Sequence, residues 1–150
     1  MDLVIRPAHM GDIKPLVEFN QALARETEDR ELSAQTLRSG VLGLLARPQY
    51  GFYLVAQKGN TVVGGLLITF EWSDWRDGVY WWVQSVYVRP QYRGQGVYRA
   101  LYAAVKTRVA ARPEVRGCRL YVEKDNLRAQ AVYEKLGMKA TGYQVYEELF

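Results

Sequence analysis

A single cysteine, Cys118, and a single histidine, His9, are the chain's sharpest shortages, and together they remove a wide range of chemistry. One cysteine cannot close a disulfide within the chain, so a reducing compartment suits it and a cytoplasmic location is expected. Cys118 falls in the apolar run Cys118-Arg119-Leu120-Tyr121-Val122. A half-buried strand position accounts for it better than a nucleophile does. One histidine leaves almost no material for histidine-based zinc sites or for Ser–His and Cys–His catalysis, and no metal is expected. No apolar run reaches about 18 residues, so no membrane-spanning helix is expected. Met1-Asp2-Leu3-Val4-Ile5-Arg6-Pro7 has no basic stretch leading into an apolar one and does not read as a signal peptide.

What remains is an ordinary globular composition. A chain of 150 residues reads as one domain, 1–150, able to bury roughly 70% of the surface its unfolded form exposes. Apolar residues make up 49% and charged residues 24%, so a core is affordable without a staple. Aromatic residues are plentiful, 11 Tyr, 4 Trp and 4 Phe, which favours strands and a lined pocket. The net charge of +4 fits either nucleic acid or a phosphate-rich small ligand. No basic stripe is interleaved with aromatics, so a nucleic-acid partner is not expected.

The pattern alternates between strands and helices, without repeats, linkers or low-complexity stretches, and predicts an α/β or α+β sheet with helices on its faces. Strands are expected at 2–7, 51–57, 61–70, 79–89 and 118–123, with Lys58-Gly59-Asn60 joining the second and third as a hairpin. Residues 11–25 carry apolar positions at helical spacing. Ser33 can cap a second helix bearing Leu37, Val41, Leu44 and Leu45. A third runs from about Gly96 to Ala111, and a fourth from about Leu127 to Leu136, capped by Asn126 and stopped by Gly137. The tail reads as two short strands about a turn at Gly142.

The chemistry concentrates where the long aromatic strand, 79–89, meets a helix. There the sequence is Val86-Tyr87-Val88-Arg89-Pro90-Gln91-Tyr92-Arg93-Gly94-Gln95-Gly96-Val97-Tyr98-Arg99. The first amides of a helix have no intrahelical partner, and the helix dipole adds partial positive charge. Glycines let the backbone approach a phosphate, and Arg93 and Arg99 supply charge-assisted bonds. This is an anion site. The Gly-Lys-Ser/Thr ending of a P-loop is missing, and so is the third glycine of a dinucleotide fingerprint, since position 99 is Arg. A second segment follows about 30 residues later. Asn126, Ala129 and Tyr133, spaced three and four apart, share one helix face.

Together the two segments resemble the Gcn5-related N-acetyltransferase (GNAT) superfamily. Arg93-Gly94-Gln95-Gly96-Val97-Tyr98 is similar to its Arg/Gln-x-x-Gly-x-Gly/Ala motif, departing at Tyr98. Asn126, Ala129, Tyr133 and Gly137 fit its Asn-x-x-Ala-x-x-x-Tyr-x-x-x-Gly-Phe motif, with Met138 in place of Phe. The order of elements over 2–150 resembles that fold as well. The resemblance implies a mixed, mostly antiparallel central sheet of six to seven strands with about four flanking helices.

It implies too that acetyl-CoA is the co-substrate and that an amine attacks the thioester directly in a ternary complex. Val86, Tyr87 and Val88 would offer backbone groups to the pantetheine and the acetyl carbonyl, beside a bulge that splays the strand. The turn Arg93–Arg99 would hold the pyrophosphate, with Tyr98 pointing away or packing on the coenzyme. Asn126 would bond the pantetheine or order a water, and Tyr133 would protonate the departing thiolate. Members often carry a basic carboxylate on the long strand; residues 79–89 have none, and Glu71 is the leading candidate, with Glu123 next and a water chain a third route. The acceptor, a primary amine of a small molecule or amino acid, would meet Glu26 and Glu28 from one segment and Trp72, Asp74 and Trp75 from another. The alternatives are acetylation of a protein N-terminus or lysine, and a non-catalytic acetyl-CoA sensor. The aromatic strands from Tyr143 to Phe150 could pair across a homodimer.

Overall fold

The computed structural model describes residues 2–150; Met1 lies outside the described residues. Strands β1 (Leu3–Pro7), β2 (Gly51–Lys58), β3 (Thr61–Ser73), β4 (Gly78–Val88) and β5 (Val115–Leu120) form one sheet in chain order. Helices α1 (Ile13–Glu28) and α2 (Ala34–Leu45) separate β1 from β2. Helix α3 (Val97–Ala110) joins β4 to β5, and α4 (Leu127–Lys135) follows. The first four strands pair antiparallel, and β5 lies parallel to β4. A parallel neighbour needs a crossover, which α3 provides. The result is the expected α+β class.

The two-residue period of the strands sorts the core onto both faces. Leu54, Leu66, Ile68, Trp81 and Val83 turn to one side and pack with Leu101 and Val105 of α3. Tyr53, Val55 and Tyr87 turn to the other and pack with Leu16, Val17 and Phe19 of α1 and Val41 of α2. The expected caps form: Ser33 Oγ accepts from the Thr36 amide at 3.2 Å, and Asn126 Oδ1 from the Ala129 amide at 3.1 Å. His9 serves the fold, since its Nδ1 accepts from the Gly11 amide at 3.1 Å ahead of a short 3-10 turn.

Two expectations are corrected. The sheet has five strands among the described residues, not six or seven, because 139–150 pairs with nothing in its own chain. The last strand spans 115–120 rather than 118–123. Its pairing with β4 stops at Val83↔Leu120, just before β4 bends, so the apolar residues Tyr121 and Val122 lie beyond the sheet.

Candidate functional site

The site begins with a defect in the sheet. Gly65 of β3 faces Tyr87, and Leu67 faces Gln84, so Leu66 alone stands opposite Ser85 and Val86. The extra residue is a β-bulge, and Ser85 takes φ 51°, the left-handed region that a side chain enters at a cost of about 1 kcal/mol or more. The bulge bends β4 away from β5, whose pairing has ended at Leu120. Between the two strands opens a cavity of about 390 Å³. Its walls are Val83–Val86 of β4, Leu120–Glu123 after β5, Asn126, Ala129 and Tyr133 of α4, and the end of α1. Past Val83, the β5 side of β4 has no strand partner, and its backbone groups face the opening.

Beyond the bulge lies the glycine turn. Gly94 and Gly96 sit at φ 73° and 81°, values that exclude most side chains on backbone grounds alone. A Cβ at either would meet nothing within 4 Å, so the space beside this turn is open. The first helical bond of α3 runs from the Ala100 amide to Gly96 O at 3.0 Å, which leaves the amides of Val97, Tyr98 and Arg99 ahead of it. Arg93 is held in place: its Nε donates to Val88 O at 2.8 Å, its Nη2 to Glu26 at 3.0 Å, and its guanidinium lies 5.2 Å from the Tyr87 ring centre. It clamps the turn against α1. Gln95 Nε2 donates to Gln91 O at 3.0 Å. Arg99 is exposed, with no ion pair among the described residues.

Tyr98, the departure from the motif, turns inward. Its ring stacks near Tyr102 and meets Tyr133 edge-on at 5.6 Å, so the helix start stays clear. Its hydroxyl is buried without a partner, and burial pushes its pKa well above the ordinary phenol range. Tyr133 is half-buried at the cavity wall, where burial also raises its pKa and keeps it protonated at neutral pH. Among the described residues nothing accepts from its hydroxyl, so that proton is free to be given. Asn126 spends its carbonyl oxygen on the helix cap, which leaves its amide NH₂ at the cavity. Cys118 is half-buried on β5, and burial raises its thiol pKa, as suits a packing residue.

The remaining wall is polar and was only partly foreseen. Gln84 Nε2 donates to Thr69 Oγ1 at 2.5 Å, fixing the amide on the cavity floor. Glu28 and Glu123 are the two carboxylates that line the cavity. Glu71 lies on the same sheet face but outside it; its oxygens accept from Trp82 Nε1 at 2.8 Å and Arg119 Nη1 at 3.0 Å. Trp82 stacks on Tyr121 at 4.5 Å, and Tyr121 borders the cavity. Glu26 is taken up by Arg93. Trp72, Asp74 and Trp75 lie at the far end of the β3–β4 hairpin and do not line the cavity, with Trp75 90% exposed. Gln84 carried a signal in the sequence, a lone amide within an apolar strand. Leu23 carried none, because only the packing of α1 brings it to the opening.

A family model described as the acetyltransferase (GNAT) family matches residues 15–138, a span holding both the turn and the helix of Tyr133. A thialysine N-epsilon-acetyltransferase of Bos taurus is 30% identical over 151 residues, covering 90% of this chain and 83% of that protein. The crystal structure of a possible acetyltransferase from Clostridium difficile 630 is 40% identical and superposes with a TM-score of 0.92 over 99% of this chain and 97% of that one. The crystal structure of a predicted acetyltransferase with acetyl-CoA, from Clostridium acetobutylicum, shares the fold at 19% identity, TM-score 0.80, over 98% of this chain and 96% of that one.

Proposed function

The chain belongs to the GNAT acetyltransferase family, and from that premise we propose that it moves the acetyl group of acetyl-CoA to the primary amine of a small molecule or amino acid. It is an acetyl-CoA-dependent acyltransferase; the acceptor is what the proposal adds. The observation that carries it is the cavity at the β4–β5 fork, with a phenol on one wall and a carboxylate on each of two others. At about 390 Å³ the space suits an amine of amino-acid size rather than a folded protein surface. The bovine relative, named for the ε-amine of thialysine, supports the same class of acceptor.

In this reading the amides of Val97, Tyr98 and Arg99, with Gly94 and Gly96 allowing close approach, hold the pyrophosphate. Arg93 keeps that turn in place, and Gln95 stiffens it. The unpaired edge Val86–Val88 receives the pantetheine arm, and an amide there faces the oxyanion, which is worth a few kcal/mol in the barrier. The Asn126 NH₂ bonds the same arm. Tyr133 gives its proton to the leaving sulfur as the C–S bond breaks, and the amine's proton leaves to a carboxylate. Glu123 and Glu28 are assigned that task because they border the cavity. Glu71 orients Trp82 and Arg119 and acts on the acceptor through them.

A panel of amines tested for release of free thiol from acetyl-CoA decides the matter. Lysine-like amines are expected to turn over, and peptides to lag. Turnover of peptides alone, or tight coenzyme binding with no turnover of any amine, would replace this reading with protein acetylation or with a sensor. Glu123→Gln, Glu28→Gln and Glu71→Gln separate the carboxylates. The base variant loses the acid limb of the rate profile, whereas a positioning variant keeps the limb and raises the acceptor KM.

A further inference from the structure

The sheet face beside the cavity carries an ion pair set among aromatic rings. Trp82 pairs with Arg119 across β4 and β5, and Glu71 with Tyr80 across β3 and β4, so these side chains share the face of Gln84. Trp82 stacks on Tyr121 at 4.5 Å, and neither ring belongs to the two apolar clusters of the core. The Arg119 guanidinium lies 3.8 Å from the Tyr80 ring centre, and the Tyr80 hydroxyl accepts from Arg76 Nε, so the supporting ring is fixed as well. Glu71 Oε2 holds Arg119 Nη1 at 3.0 Å. At 29% and 41% exposed, the Arg119 and Glu71 side chains are partly withdrawn from water, unlike the solvated pair Arg25–Glu31 at 52% and 74%.

The bonding capacity this pair leaves unused is specific. Among the described residues Arg119 spends one of its five N–H donors, and each Glu71 oxygen accepts one bond of the two it can take. A guanidinium fork beside a carboxylate suits a ligand that presents a carboxylate and an ammonium together. The head of a free α-amino acid carries both on one carbon. The spacing fits as well. Gln84, on the cavity floor, stands two residues along β4 from Trp82, about 7 Å. An extended side chain of lysine length separates its distal amine from its own carboxylate by about 7 Å. The Trp82–Tyr121 stack supplies an apolar surface for the methylenes between them.

We propose that Arg119 and Glu71 select the acceptor as a free α-amino acid with a distal primary amine. Arg119 takes the α-carboxylate and Glu71 the α-ammonium, and the distal amine reaches the cavity between Glu28 and Glu123. The assignment rests on the acetyl-transfer reading of that cavity and narrows its acceptor. A plain diamine of the same length lacks the group that Arg119 holds, and a lysine within a peptide carries neither charge of the free head.

Calorimetric titration of the full chain saturated with coenzyme A tests the pair without turnover. Nε-acetyl-lysine should bind about tenfold more tightly than N-acetyl-1,5-diaminopentane, which differs only in lacking the carboxylate. It should also bind severalfold more tightly than 6-acetamidohexanoate, which lacks only the α-ammonium. Arg119→Gln should bring the first two affinities within about twofold, whereas Arg119→Lys, which keeps the charge and loses the fork, should retain part of the gap. Equal affinities in the unaltered protein, no binding of either compound, or an undiminished gap in Arg119→Gln would each overturn the proposal. Should thermal melts show that Arg119→Gln does not fold, Arg119→Lys decides, and a gap as wide as that of the unaltered protein overturns it. Turnover of lysine and 1,5-diaminopentane is measured alongside. Absence of all turnover with the affinity gap intact sinks the acetyl-transfer reading alone, and equal affinities with both amines turned over sink this one alone.

Discussion

Tyr133 and Asp12 are both shaped by burial, with opposite outcomes. Burial alone raises the Tyr133 phenol, which starts near 10 and therefore stays protonated through the working range. Tyr133→Phe should lower kcat by about 10²-fold or more while calorimetry finds coenzyme affinity unchanged. Equal turnover of the two proteins would remove the acid from this position. Asp12 is 2% exposed, and burial raises its carboxyl pKa, but the bonds from Arg6 and the His9 amide, at 2.8 Å each to Oδ2, outweigh that and lower it. A lowered folded-state pKa means the pair stabilises fully above the ordinary carboxylate range and is lost as pH falls through it. Asp12→Asn should cost about 2 kcal/mol at pH 7, since Arg6 keeps some contact with water, and the gap from the unaltered protein should narrow as pH falls below the ordinary carboxylate range. Urea melts at pH 7 and pH 3 measure it.

At the scale of elements, the legible parts were those whose cause is local. The caps at Ser33 and Asn126, the hairpin at Gly59 and the glycine turn before α3 are set by residues within four positions of each other. The fork was not legible from the residues themselves. It depends on Leu66 facing two residues of β4, a register set by the whole sheet. That is why the sequence pattern puts β5 three residues late, and why Glu28 of α1 and Tyr121 after β5 meet at one opening although the sequence holds them far apart. The turn and the bulge answer differently to substitution. Gly96→Ala meets no atom, so its cost is the left-handed backbone, about 1–2 kcal/mol, and a displaced set of amides. The coenzyme KM should rise severalfold with the fold intact. Ser85→Gly should relax the φ of 51° and raise the melting temperature, while turnover falls if the bend loosens. Steady-state kinetics beside thermal melts separate the two effects.

Across the molecule, charge of opposite sign stands at the start of α3 and at the cavity beside β4. Arg99 stands exposed beside the amides that start α3, whereas Glu28 and Glu123 border the cavity. The net charge of +4 draws a polyanionic coenzyme from a distance, but in the proposed reading contact at the turn rests on main-chain donors that salt screens much less. The two contributions therefore respond differently to ionic strength. Arg99→Gln removes a screened charge and leaves the amides in place. At about 0.05 M salt, where the Debye length exceeds 10 Å, this variant should bind coenzyme A several times more weakly than the unaltered protein. Near 0.5 M salt, where the length falls to about 4 Å, the two affinities should converge on the value set by the amides. Calorimetric titrations at both salt concentrations provide the comparison. A gap that persists undiminished at high salt would mean that Arg99 touches the phosphate directly and that the backbone carries less of the binding than its geometry implies.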